Sequence, residues 1–147
     1  MKRVKSVILL AFLLVGFILP GFSQLNCKIT FKYKFVNVNE GYDHVSRMKV
    51  YIDGALAGTS LEDGTSSDAS AVHKETIQNV FAIEVPKGVH KIRAVVEALY
   101  AGVWEEHLVA NTYALDCLYE KTLEFTKDNT IELEFDIEAG ATVIIKE

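Results

Sequence analysis

Ile131, Leu133, Phe135 and Ile137 alternate without a break with Glu132, Glu134 and Asp136. A period of two gathers the apolar set on one face of an extended ribbon and the acids on the other. A helical period of 3.6 would scatter both sets around a cylinder. The stretch from Cys27 to Val38 follows the same plan, with Ile29, Phe31, Tyr33 and Phe35 opposite Lys28, Thr30, Lys32 and Lys34. Met48, Val50 and Ile52 alternate ahead of the turn pair Asp53-Gly54, and Ile92, Ala94, Val96 and Ala98 alternate after Pro86-Lys87-Gly88. Further strands are expected at 55–61, 80–85, 103–110 (Trp104, Glu106 and Leu108 on one face), 117–125 and 142–146. Turns are expected at Ala101-Gly102, 126–130 and Ala139-Gly140. No segment sustains a helical apolar spacing. The expected fold is therefore all-β, an antiparallel, Ig-like β-sandwich of seven to nine strands with sheets wet on one side.

The first residues follow a different plan. Lys2, Arg3 and Lys5 precede an apolar run from Val7 to Leu19, and Gly21 and Ser23 offer small residues for cleavage before Gln24. This three-part pattern is that of a secretory signal peptide over 1–23, leaving a single domain at 24–147, secreted or periplasmic. Removing 1–23 takes away three basic and no acidic side chains, so the balance moves from −5 to about −8. Such a surface repels phosphate backbones and anionic bilayers, so neither nucleic acid nor membrane is an expected partner after cleavage. Export makes one disulfide chemically accessible, Cys27 to Cys117; the alternative is two separate buried thiols.

Val50-Tyr51-Ile52-Asp53-Gly54 with Gly58-Thr59, and later Val85-Pro86-Lys87-Gly88-Val89-His90-Lys91-Ile92, together resemble PEGA-type domains, small β-rich modules of microbial surface proteins. Ser60 stands where that pattern carries proline, and Leu61 to Asn79 lengthens the gap between the halves. The resemblance implies a PEGA-like, non-catalytic surface module engaging glycans or other envelope proteins.

No catalytic or metal-binding pattern emerges. His44, His73, His90 and His107 lack the spacing of a metal pair, although His90 and His107 could meet across neighbouring strands. Gly58-Thr59-Ser60-Leu61-Glu62 misses the second glycine of a nucleophile elbow and lacks its strand–turn–helix setting. Glu105 and Glu106 alternate faces and cannot flank one glycosidic bond. Glu62, Asp63 and Asp68 do not match a calcium loop. No cofactor is expected. Tyr100, Trp104 and Tyr113 fall at or near strand ends with Asn111 and Glu105 as polar neighbours, where flat rings can stack on sugars. A lone Trp in a sandwich is otherwise a core residue.

The sequence thus points to an exported binding or structural module of a bacterial-type cell envelope, with a glycan or cell-surface protein as ligand and Tyr100, Trp104, Asn111 and Tyr113 as candidate contacts. The alternatives are a small secreted hydrolase with an unfamiliar site, and an inhibitor or assembly subunit presenting the Glu62–Gln78 loop.

Overall fold

The computed structural model of the chain describes residues 25–38, 44–61 and 78–147. The signal-peptide segment and all but the last residue of the 62–78 loop lie outside the described residues. Among the described residues there are nine strands: β1 (Asn26–Val36), β2 (Ser46–Ile52), β3 (Ala55–Thr59), β4 (Asn79–Pro86), β5 (Gly88–Tyr100), β6 (Val103–Glu106), β7 (Leu118–Phe125), β8 (Asn129–Asp136) and β9 (Ala141–Lys146). They form one sheet in the order β4-β1-β8-β9 and a second in which β3, β2 and β5 are neighbours and the far edge of β5 is shared by β6 and β7. The architecture is an all-β sandwich, antiparallel at every pairing except β1 with β8.

That one parallel pairing follows from the charge pattern as well as from the apolar one. It sets Lys32 opposite Glu132 and Lys34 opposite Glu134, aligning the basic row of β1 with the acidic row of β8. Lys34 Nζ lies 2.8 Å from Glu134 Oε2. On the other face the same register puts Phe31 beside Ile131, Tyr33 beside Leu133 and Phe35 beside Phe135, all buried. The Phe35 and Phe135 rings are 5.4 Å apart. Burying each such side chain contributes about 1.5–3 kcal/mol. Tyr33 keeps a polar partner inside, with its hydroxyl 3.3 Å from Ser60 Oγ, and burial pushes its pKa up to about 12.

One flank of the sandwich closes where β3 meets β4. A Cβ on Gly58 would fall 2.8 Å from Phe81 Cζ and 3.0 Å from Ile83 Cγ2, so glycine is what lets the two sheets approach there. The Asp53-Gly54 turn has positive φ at both positions (51° and 85°), as a two-residue hairpin requires.

Three expectations need correction. The outer face of the second sheet is not uniformly wet. Arg47 and Glu97, opposite one another on β2 and β5, are only 4% and 7% exposed, and Val95 between them and the Arg93 row is fully buried. Arg47 Nε donates to Glu97 Oε2 at 2.6 Å, Lys49 Nζ lies 3.0 Å from Glu97 Oε1, and Arg93 grips Glu106 through both terminal nitrogens. Trp104 is not in the core; its ring lies over the Arg47 guanidinium at 4.2 Å, on that outer face. The strand expected at 103–110 stops at Glu106, because from His107 onward the chain leaves the sheet. Of the two alternatives for Cys27 and Cys117, the structure has the separate buried thiols, and burial raises the Cys117 thiol well above its ordinary value.

Removing one member of a desolvated ion pair strands the other. Glu97→Ala should therefore lower the unfolding free energy by about 3–5 kcal/mol. The Arg47→Met/Glu97→Leu double variant should recover most of it, as read by urea denaturation.

Candidate functional site

β5 is 13 residues long and outruns the core at its C-terminal end. Gly88 to Val95 pairs with β7, and Glu97 to Tyr100 pairs with β6. Between the two partners the chain departs and returns. His107 N donates to Val96 O, Val96 N donates to Cys117 O, and Cys117 N donates to His107 O, each at 2.8–3.0 Å. Residues 108–116 are thereby expelled as a protruding loop whose ends are pinned together.

The loop is held by its own polar groups. A 3₁₀ turn spans Val109–Asn111, the Asp116 carboxylate accepts from Val109 N at 2.8 Å, and Asn111 Nδ2 donates to Glu106 O at 2.8 Å. Thr142 Oγ1 donates to Asp116 O at 2.8 Å, tying the loop to β9. His107 is fully buried beneath it, with Nδ1 3.2 Å from Leu115 O. The Tyr113 ring stacks on the His107 imidazole, centroids 4.2 Å apart and planes inclined by 28°. Burial holds the His107 pKa below its ordinary 6.5.

This loop and the β5–β6 hairpin are the two walls of an open cleft of about 400 Å³, lined by His44, Tyr100, Glu105, Asn111, Thr112 and Tyr113. Glu105 lies opposite Ala98, so it and Tyr100 occupy the face that lower down is core. Here the sheet has outrun the opposing layer, and Tyr100 is 60% exposed. His44 meets the Tyr100 ring edge-on at 5.6 Å. Glu106, one residue on, faces the other way to Arg93.

Three of the four expected contact residues, Tyr100, Asn111 and Tyr113, therefore come together, with Glu105 beside them. Trp104 does not join them, since alternation along β6 turns it to the opposite face. His44 and Thr112 complete the lining and carried no signal in the sequence beyond their neighbourhood. The backbone is strained at this place. Among the described residues four non-glycines have positive φ. Asn37 and Asp53 tolerate it, but Ala101 (49°) and Thr112 (71°) are poorly suited, and both flank the cleft. Such strain gathers where binding geometry matters.

Other places carry less. A larger hollow of about 550 Å³ is lined by Lys28, Lys127 and Lys146 but equally by Glu124, Asp128 and Glu147, and Asp128 Oδ1 is occupied by Lys28 N at 2.8 Å. Ser60 Oγ is engaged by Met48 N at 2.8 Å and by Tyr33, as an internal brace. His90 and His107 do not meet. His107 sits beside Val96, six residues and about 20 Å along β5 from His90. His90 instead places Nδ1 2.6 Å from Asp53 Oδ2 and lies over the Phe125 ring. That contact, then the Lys91 N–H, holds the Asp53 carboxyl below its usual range. Among the described residues no three His, Cys, Asp or Glu side chains gather as a metal-binding set. No family model matches the chain, and no curated protein matches its sequence.

Two outcomes are expected. Ala101→Gly and Thr112→Gly should each relieve strain and stabilise the fold by up to about 1 kcal/mol, read from the urea midpoint. Because the folded His107 pKa lies below 6.5, the unfolded chain takes up the proton first as pH falls. The stability from this group is complete above pH 6.5 and is lost as pH drops from there through the folded value. His107→Asn should flatten that part of a stability–pH profile.

Proposed function

We propose that the chain is an exported, non-catalytic β-sandwich module of a bacterial-type cell envelope that binds a glycan in the Tyr100–Tyr113 cleft. The observation that carries this reading is the braced ring. Tyr113 stacks on a buried imidazole at the cleft wall, so the ring is held in place before a ligand arrives and little ordering cost remains. Tyr100 supplies a second exposed ring, and Glu105, Asn111 and Thr112 supply polar atoms beside apolar ring faces. That mixture suits a pyranose, which has C–H faces and a rim of hydroxyls.

Several placements support a binding role over hydrolysis. Glu105 and Glu106 diverge, Ser60 is engaged as a brace, and His90 and His107 are far apart. The Asp53–His90 contact joins Asp53-Gly54 to Gly88-Val89-His90, the two stretches that resemble the PEGA pattern. A second reading, a protein ligand added as a strand, is favoured by one observation. Edge strand β9 leaves Val143, Ile144 and Ile145 exposed in succession.

Tyr113→Ala should weaken glycan retention at least about tenfold, equivalent to about 1.4 kcal/mol. Ile144→Lys should leave it unchanged. A glycan array followed by titration calorimetry reads both. Loss of partner capture by Ile144→Lys with no sugar bound by the parent chain would favour the strand-addition reading instead.

A further inference from the structure

We propose that the cleft selects sugars without acidic groups, and that Glu105 is the residue that sets this specificity. The inference rests on the glycan reading above and adds the chemical class of the ligand.

Charge is distributed unevenly over the second sheet. Glu97 holds Arg47 and Lys49, Glu106 holds Arg93, and Glu120 holds Lys91. Glu105, on the same sheet, has no basic partner and no side-chain hydrogen bond among the described residues. The side chains that line the cleft with it include no lysine or arginine. The Glu105 carboxylate is thus set against two tyrosine rings, the His44 imidazole, an amide and a threonine hydroxyl. Its two oxygens can accept neighbouring hydroxyls of one sugar ring, in short charge-assisted hydrogen bonds. Asn111 Nδ2 gives one of its two N–H groups to Glu106 O, which leaves the amide oxygen as a further acceptor beside the second N–H. Glu105 and the Asn111 amide oxygen are both acceptors, the complement of a ring edge rich in O–H donors.

The same arrangement works against a uronate, a sialate, or a sulfated or phosphorylated sugar. Such a ligand would bring a second anion within a few ångströms of Glu105, with no lysine or arginine among the described lining side chains to offset it. At about 4 Å and the dielectric of a surface site, that repulsion corresponds to roughly a tenfold or greater loss of affinity. The net charge of −5 over the whole chain adds to the discrimination at long range.

The test uses the full chain and its Glu105→Gln variant, titrated with neutral trisaccharides of gluco, manno and galacto configuration and with the matching uronic acid trisaccharides. Binding is read by calorimetry, and chemical-shift mapping checks that both proteins are folded alike. The expected result is that the parent binds at least one neutral trisaccharide about tenfold or more tightly than its uronate. In Glu105→Gln that ratio should fall towards one, while the dependence on Tyr113 persists. Equal or tighter binding of the uronates by the parent, with Tyr113→Ala abolishing it, would overturn the charge selection and leave the glycan reading standing. A ratio unchanged in Glu105→Gln would remove Glu105 as its cause. No binding of either series would overturn both.

Discussion

Val96 divides its two backbone hydrogen bonds between separate parts of the chain, taking one from His107 and giving the other to Cys117. Much of the molecule depends on that exchange. A 13-residue strand has a longer edge than any single partner here can cover, and an uncovered edge is a row of unsatisfied donors and acceptors. β6 covers the outer part and β7 the inner part, and the chain between them has to be ejected. The ejected loop becomes the wall of the cleft. Backbone pairing along that edge of β5 and a projecting aromatic surface are thus consequences of one arrangement.

The two halves of the second sheet differ in the same way. Towards β7 and the core, inward positions such as Ile92, Ala94 and Val96 are sealed by the opposing layer. Towards the β5–β6 hairpin that layer ends, and the same parity presents Tyr100 and Glu105 to solvent. On the reverse face the charged residues interlock: Arg47 between Glu97 and the Trp104 ring, Arg93 against Glu106. That network fixes the orientation of β6 from behind, while His107 fixes Tyr113 from beneath. Both cleft walls therefore rest on buried groups, although the cleft itself is open.

Much of this could be read from the residues. Alternation in 27–38, 48–52, 92–98 and 131–137 named the inward side chains, because a ribbon with one buried face admits no other register. Asp53-Gly54 and Ala101-Gly102 marked the hairpins, since both positions of each turn require positive φ. Tyr100 and Tyr113 were legible as neighbours near strand ends, whereas Trp104, named with them, lies over Arg47 on the other face. Parity along β6 separates it from Tyr100 and Glu105, and that signal was present in the numbering. His44 and Thr112 had no comparable signal, because their places are set by bonds to distant residues, Leu99 N to Val45 O for the one and the pinning of 107 and 117 to Val96 for the other.

What the sequence determined alone was the class of structure: extended ribbons, one apolar face each, short turns between them. Side-chain periodicity is a local property, and it survives whatever the strands pair with. Tertiary structure decided the partners. The parallel match of β1 with β8 depends on charges about a hundred residues apart finding one register. The burial of Arg47 and Glu97 depends on which strands flank them, and the cleft depends on where one layer of the sandwich stops short of the other. These are relations between segments, and no single stretch of the chain contains them.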